Sequence, residues 1–263
     1  MFHIVIFTAL VVAVAERLPR LARRRMSLLR PHAFTDLAFL LVSWVAIARL
    51  TLSWVAWATD ALGVSVFGEL PLWIESLIAL VLLDLGNYLA HWLMHRYEPL
   101  WHVHAVHHSS PALDWLAMFR SHVLEQLLRR VTAPVLLIVL GVSPGAVAIA
   151  SAVFIAWGVF IHANLSLNLR LLEPVLITPR LHHLHHVAAS AEQNLGTLFS
   201  CWDRLLGRLA RHDVARTTPL GNGYPDYPQT FAKLLREPFR RVLASRRASR
   251  MRHAPRAQVT VRA

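Results

Sequence analysis

DLGNYLAHWLMHRYEPLWHVHAVHH, from Asp84 to His108, and TPRLHHLHH, from Thr178 to His186, are the two stretches from which the organisation of the chain follows. The first stretch contains an HxxxH pair, and each stretch contains an HxxHH triplet. Residues three and four apart lie on the same face of a helix, so each motif is predicted to present its imidazoles together. The eight side chains are His91, His95, His104, His107, His108, His182, His185 and His186.

These histidine motifs predict a shared metal site. A lone histidine is more often an ordinary surface or core residue. Burying eight imidazoles in so apolar a chain without a common partner would leave many nitrogen donors and acceptors unpaired. Imidazole suits iron, copper and zinc, so the ligand type alone leaves the metal open. Because eight ligands exceed what one ion uses, the count indicates two ions, and the absence of Asp and Glu from the three motifs disfavours a hydrolytic zinc pair.

The ordered set HxxxH, HxxHH and HxxHH resembles the fatty acid hydroxylase and sterol desaturase superfamily of membrane di-iron enzymes. The similarity continues outside the motifs, from about Ile78 to Gly207, which is half the chain. The additional stretches are LWHVHAVHHSSPALDWLAMFRSH (Leu100 to His122), IHAN (Ile161 to Asn164) and NLGTLFSCWDRLLG (Asn194 to Gly207).

This resemblance implies two iron ions that use O₂ to hydroxylate or desaturate a lipid, of fatty acyl, sterol-like or related type. It adds His162, in its HxN context, as a ninth metal ligand, and it implies no catalytic residue beyond the ligands. Asp84, His122 and Asn164 are predicted to support the ligands. Asp84 precedes His91 by seven residues and shares its helix face, although a helix–helix hydrogen bond explains this carboxylate equally well. His122 is followed by Val123 where the family more often has proline.

The composition predicts an all-α, integral membrane helical bundle with a cytoplasmic, histidine-rich helical cap. Hydrophobic residues make up 56% of the chain and the mean hydropathy is +0.45, outside the usual range of soluble proteins. Three regions are expected: residues 1–33 as an N-terminal anchor and basic cytoplasmic segment, 34–210 as the membrane-embedded di-iron domain, and 211–263 as a basic, partly disordered tail.

The apolar segments predict the crossings of the membrane. Ile4 to Ala15 is short for a span and is interpreted as an uncleaved anchor rather than a secretory signal, because arginines follow it immediately. Phe34 to Thr59 and Leu70 to Ala90 are each long enough to cross. Val131 to Leu140 and Ala146 to Ala163 are expected to form a hairpin that returns the third histidine motif to the side of the first two.

The charge distribution predicts the partners and the orientation. The formal net charge is +12, and residues 233–263 carry ten Lys and Arg against one acid. In a membrane protein this favours anionic lipid headgroups over nucleic acid, with the histidine motifs and the C-terminus on the cytoplasmic side of the inner or plasma membrane. A single cysteine, Cys201, excludes an internal disulfide and a Cys-ligated iron–sulfur site. Without a GxGxxG motif either, electrons are expected from an external ferredoxin, cytochrome or flavoprotein reductase.

Two other functions compete with a lipid oxygenase. A histidine-based membrane metal-ion transporter would place its ligands along the spans near the midplane, whereas these motifs lie on polar segments between and after spans. A bis-histidine haem protein would need single, opposed histidines rather than triplets. His102 and His183 fall outside the predicted ligand faces and are expected to support the ligands or to be exposed.

Overall fold

The described residues form an all-helical protein. The structure is a computed structural model that describes residues 2–27, 30–44, 48–215 and 217–253. These ranges contain two isolated β-bridges and no strand ladder. Their α-helices are α1 (Phe2–Ala15), α2 (Ala33–Val42), α3 (Ala48–Leu62), α4 (Leu72–Arg96), α5 (Glu98–His104), α6 (Val123–Thr132), α7 (Val135–Val139), α8 (Pro144–His162), α9 (Pro179–His185), α10 (Cys201–Leu205) and α11 (Phe231–His253).

α4 and α8 are the two longest apolar helices among the described residues and pack against each other. They have 25 and 19 residues, so each is long and apolar enough to cross a membrane. α8 begins at a capping Ser143, whose hydroxyl accepts a hydrogen bond from the backbone N–H of Ala146, with Pro144 in the first turn. Both helices end in histidine-bearing turns, so their C-terminal ends lie at the same end of the molecule.

The opposite end of the molecule is an apolar core between α3, α4, α7 and α8. It includes Val55, Ala79, Leu137 and Ala146. α6 and α7 therefore lead the chain away from the histidines, and α8 returns it, as the predicted hairpin requires. Gly86 on α4 permits this packing, because a Cβ there would lie 2.6 Å from the carbonyl oxygen of Ala133.

α6 has its polar residues inside and its apolar residues outside. Glu125 and Gln126 are buried, while Leu124, Leu127 and Val131 are 43%, 37% and 51% exposed. A helix in water has the reverse arrangement. An apolar outer face with polar groups turned inward is typical of helices surrounded by lipid.

The structure bears on three predicted segments. The expected crossing from Phe34 to Thr59 includes α2 and most of α3, and residues 45–47 between these helices lie outside the description. The first arm of the predicted hairpin is interrupted at Ala133 and Pro134, where a proline removes a helical N–H. The basic tail, expected to be partly disordered from about Ser245, is helical to His253 in α11, and Leu234 near the start of this helix packs against Phe39 of α2. Residues 254–263 lie outside the description.

Candidate metal centre

The nine histidines predicted as ligands lie together in two buried groups. Within each group, one nitrogen from every ring lies within 4.8 Å of all the others. Cluster A consists of His91, His95, His104, His108 and His185. Cluster B consists of His107, His162, His182 and His186. Stacked and edge-to-face contacts join the clusters, such as the ring centroids of His108 and His186 at 4.5 Å.

Each HxxHH triplet is divided between the clusters, which differs from the single helix face predicted for it. α5 ends at His104, and the chain continues in a 3₁₀ turn from His107 to Ser109. The tighter turn rotates successive side chains further apart than an α-helix does. His107 lies in cluster B, while His104 and His108, at the first and last positions of the motif, belong to cluster A. At the end of α9, His185 joins cluster A while His182 and His186 join cluster B.

Backbone carbonyls orient four of the rings. A carbonyl oxygen only accepts, so the Nδ1 atom of each of these histidines carries the proton and donates it, which leaves the Nε2 lone pair available. The pairs are His91 with Leu195 (2.7 Å), His107 with Arg120 (3.0 Å), His162 with Gly158 (2.7 Å) and His185 with Gln193 (3.0 Å).

Glu125 orients a fifth ring and is the ligand-supporting residue that the sequence did not reveal. Its Oε1 lies 2.8 Å from Nδ1 of His104 and also accepts a hydrogen bond from Nε of Arg129 at 3.1 Å. A carboxylate behind an imidazole fixes its tautomer and raises its basicity as a ligand. The sequence alone gives no sign of this role, because Glu125 lies on the inward polar face of α6 and only the packing of the helix shows which face is inward.

The unpaired nitrogen atoms fit bound cations. His107 and His162 both donate through Nδ1, so their Nε2 atoms, 3.1 Å apart, direct lone pairs at each other. The Nε2 atoms of His91 and His104 do the same at 2.9 Å. Nε2 of His185 is buried without a hydrogen-bond partner among the described atoms. A cation between such nitrogens removes the repulsion and satisfies the lone pairs.

The protonation state agrees with metal binding, since only neutral imidazole is a ligand. Burial lowers the pKa of His104, His107 and His186 well below the usual value, and the neighbouring imidazoles of the clusters lower these pKa values further. Burial lowers the pKa of His185 to about 3. The negative ends of the α4 and α8 dipoles, where the site lies, also favour positive charge.

The ligand count of cluster A favours a metal that takes more than four ligands. Cluster A offers five imidazoles, whereas zinc is almost always four-coordinate in structural sites. Cluster B offers four imidazoles, so the count separates the metals only at cluster A.

Asp84 supports the site through a loop and not through a histidine. Its carboxylate accepts hydrogen bonds from the backbone N–H groups of Leu198 and Phe199 and from Nε1 of Trp202, at 2.8 to 3.1 Å. The loop that it holds leads from the carbonyl of Leu195, which orients His91. Of the two explanations considered for Asp84, a hydrogen bond between segments is therefore the one observed.

His122 and Asn164 also act on the backbone. His122 caps α6 by accepting from the N–H of Leu124, and its other nitrogen lies 3.1 Å from the carbonyl of Leu235 in α11. Asn164 bonds through both side-chain atoms to the backbone of Arg24, at 3.0 and 2.7 Å. Both residues fix segments that adjoin the ligands, and the structure places neither in a hydrogen bond with a clustered histidine.

His102 and His183 are both buried and lie outside the clusters. The Nε2 of His183 donates to the carbonyl of Ala163 at 3.0 Å, and its Nδ1 faces Nη1 of Arg23 at 3.0 Å. His102 lies 3.5 Å from the carboxylate of Glu98, one turn earlier in α5. His183 thus ties the third histidine motif to the end of α8 and to the N-terminal segment.

An apolar cavity of about 240 Å³ leads to both clusters. One end is bordered by His91 of cluster A and by His107, His162 and His182 of cluster B. The remainder lies between α3, α4, α6 and α8. Its apolar lining includes Val55, Leu83, Ala133, Pro134, Val147, Phe154 and Ile155. The arrangement is able to hold an alkyl group with one part against the histidines and the rest away from water.

Comparison with known proteins agrees with this site. The family model described as "Fatty acid hydroxylase" matches residues 76–208, about half of the chain. "Ornithine lipid hydroxylase OlsE" of Rhizobium tropici is 31% identical over 153 residues, which are 57% of this chain and 46% of that protein. "Alkylglycerol monooxygenase" of Danio rerio is 29% identical over 136 residues, which are 51% of this chain and 30% of that protein.

The chain thus spans less than half the length of each of these two relatives. No solved structure matches the chain.

Proposed function

Since the chain belongs to the fatty acid hydroxylase family, we propose that it is an O₂-dependent membrane lipid hydroxylase whose clusters A and B each hold one iron ion. Membership in a family of iron-dependent oxygenases and the two long apolar helices are the premises. The observation that carries the proposal is the single apolar cavity that reaches histidines of both clusters.

Each part of the site has a physical role in this proposal. Bound iron would supply the chemistry that activates O₂ towards a C–H bond. The apolar lining desolvates an alkyl chain and restricts its position beside the histidines. Glu125 and the four carbonyl oxygens keep the ring protons on Nδ1, so that Nε2 remains a ligand atom. Burial of the rings keeps them neutral near pH 7.

The volume of the cavity and the relatives favour hydroxylation of a linear chain. Its volume of about 240 Å³ lies just below the range typical of small-molecule sites, which suits an alkyl segment better than a fused ring system. Both relatives are named for oxygen insertion, one as a hydroxylase and the other as a monooxygenase. We therefore place hydroxylation of an acyl or alkyl lipid before desaturation and before a sterol-like substrate.

Location and partners complete the proposal. We place the histidine clusters and the C-terminus at the cytoplasmic face of the inner or plasma membrane, because the segments that follow the apolar helices are strongly basic. The electrons come from an external protein, and the basic surface also contacts anionic headgroups. These assignments rest on charge and on the family.

Lipid mass spectrometry tests the function. Cells expressing the intact protein are compared with cells expressing His186→Ala, under air and without O₂. A gain of one oxygen atom in a lipid class, found only with the intact protein and only under air, is expected. Loss of two hydrogens instead would assign desaturation, and lipid profiles that match in all four cultures would reject lipid oxidation.

Metal-ion transport is the competing function, and the position of the clusters bears on it. The ligands lie at the C-terminal ends of α4 and α8 rather than midway along them, where a transport path needs its sites. Purified protein in sealed vesicles distinguishes the two functions. About two tightly held irons per chain and no metal-dependent flux are expected, whereas rapid exchange of iron across the vesicle wall would favour transport.

A further inference from the structure

An indole lies directly against cluster A. The ring centroid of Trp101 is 5.1 Å from that of His95, 5.3 Å from that of His108 and 6.2 Å from that of His104. Trp101 is half-buried on α5 and is not among the residues that line the apolar cavity. Its ring therefore adjoins the metal site but not the space proposed for the substrate.

Tyr224 continues the aromatic contacts from Trp101 towards the surface, and the buried Tyr227 packs against it. Nε1 of Trp101 donates to the hydroxyl of Tyr224 at 3.3 Å, and Tyr224 stacks on Tyr227 with centroids 5.8 Å apart. Tyr224 is half-buried, and Gly223 and Pro225 on either side of it are exposed. An unbroken series of aromatic rings thus joins cluster A to the protein surface.

The surface at the end of this series is basic. The guanidinium of Arg241, on α11, lies 3.9 Å from the ring centroid of Tyr224. Among the side chains of α11 that the structure describes, to residue 248, the exposed cations are Lys233, Arg236, Arg240, Arg246 and Arg247. The carboxylates on or near this surface are Glu98, whose Oε1 accepts from the hydroxyl of Ser245, the buried Glu237, which pairs with Arg240 and Arg241, and the exposed Asp226.

We infer that this basic face, formed by α11 and the Tyr224 turn, is the docking site of an acidic one-electron carrier protein, and that Trp101 and Tyr224 conduct its electrons to cluster A. The inference rests on the proposed function. Hydroxylation consumes a C–H bond, O₂, two electrons and two protons and yields an alcohol and water, so a one-electron carrier docks twice in each turnover.

The charges and the rings point to the same partner. Opposite charge steers an acidic protein to this face and orients it, while the small, weak interfaces typical of electron carriers allow rapid exchange. An anionic membrane surface would also be attracted to α11. Attraction to lipid, however, gives no role to a series of rings that connects this face with the histidines.

Binding and electron transfer are measured separately on the full chain, loaded with iron, in bilayer discs of neutral phosphatidylcholine. The probe is an acidic [2Fe–2S] ferredoxin. The double variant Arg246→Glu, Arg247→Glu is expected to weaken ferredoxin binding at least tenfold at low salt. The control is Arg20→Glu, Arg25→Glu, which reverses two exposed cations outside this face and is expected to bind as the unmodified protein does.

Trp101→Leu tests the conducting series. Ferredoxin binding and iron content are expected to be unchanged, while reduction of the iron by bound ferredoxin slows at least tenfold and reduction by dithionite does not. Trp101→Phe restores an aromatic ring and is expected to recover much of the rate. If Trp101→Leu loses iron, the reduction rates are compared per bound iron. Trp101→Phe is then expected to be reduced faster than Trp101→Leu and more slowly than the unmodified protein.

Three results would overturn the inference. The first is that both charge-reversal pairs weaken ferredoxin binding equally, and the second is that ferredoxin reduces Trp101→Leu at the normal rate. The third is that the Arg246 and Arg247 changes weaken only the attachment to phosphatidylglycerol vesicles, which would assign α11 to lipid. Failure of the proposed function would give a different result. Ferredoxin would still bind to α11 of the metal-free protein, but no lipid would gain oxygen.

Discussion

Replacing Glu125 by alanine is expected to weaken iron binding at cluster A by ten- to a hundredfold. The change removes the acceptor 2.8 Å from Nδ1 of His104 and leaves a buried N–H without a partner. A charge-assisted hydrogen bond of this kind contributes about 1.5 to 3 kcal/mol. Loss of a residue that supports a metal ligand typically costs ten- to a hundredfold in affinity, or about 1.4 to 2.8 kcal/mol. The two estimates agree.

The assay is competition for ferrous iron with a chromophoric chelator, on protein held anaerobically in detergent. Glu125→Gln keeps an oxygen that accepts from His104 and should lose less than the alanine variant. Asp213→Asn is the control, because that exposed carboxylate pairs with Arg170 and the half-buried Arg180 and contacts none of the clustered histidines.

Thermal melting of the metal-free proteins separates loss of a ligand-supporting contact from general unfolding. An alanine variant that folds and binds both irons within threefold of the unmodified protein would refute the role assigned to Glu125. Equal losses in the alanine and glutamine variants would show that the charge, and not the hydrogen bond, matters.

Three further predictions follow from single residues. His107→Ala removes a ligand of cluster B only. Elemental analysis should show that the iron content falls from about two to about one per chain, while membrane insertion is unchanged. Loss of both irons would contradict separate sites. Gly86→Ala forces a Cβ against the backbone of Ala133 and should destabilise the protein by about 1 to 3 kcal/mol in a thermal melt, whereas Gly145→Ala, with only ordinary contacts, should be close to neutral. Burial raises the pKa of Glu16 from 4.5 to about 7. The folded state therefore holds this proton more tightly, and stability falls between about pH 4.5 and 7 as the carboxyl ionises, by about 3 kcal/mol in total. Glu16→Gln should remove that fall. If the free energy of unfolding changes with pH in the same way in both proteins from pH 5 to 8, the role assigned to Glu16 is wrong.

The identity of the clustered histidines was accessible from the sequence, because helical spacing brings i, i+3 and i+4 side chains close together. Their assignment to two clusters was not. It depends on how α5 and α9 pack against α4 and α8, because in both triplets the first and last rings join one cluster and the middle ring joins the other. The resemblance to a family supplied His162, which has no patterned neighbour of its own.

Contacts between distant segments were the other part that the sequence did not predict. Glu125 lies 21 residues from His104, and the carbonyl of Leu195 lies 104 residues from His91. Neither distance follows from periodicity. The helical form of α11 was also missed, because its composition is that of a disordered basic tail, and only packing against α2 and α5 stabilises it.

The carbonyl oxygens behind the rings have a consequence for how the protein tolerates mutation. At Arg120, Leu195 and Gln193 the atom that orients a histidine belongs to the main chain, so a substitution at these positions exchanges the side chain and retains the oxygen. Glu125 is different, because its orienting atom belongs to the side chain and is lost when the residue is replaced. Random mutagenesis scored by iron retention should therefore find many permitted residues at the half-buried Gln193 and almost none at Glu125, whereas at the fully buried Leu195 the packing of the side chain restricts the choice.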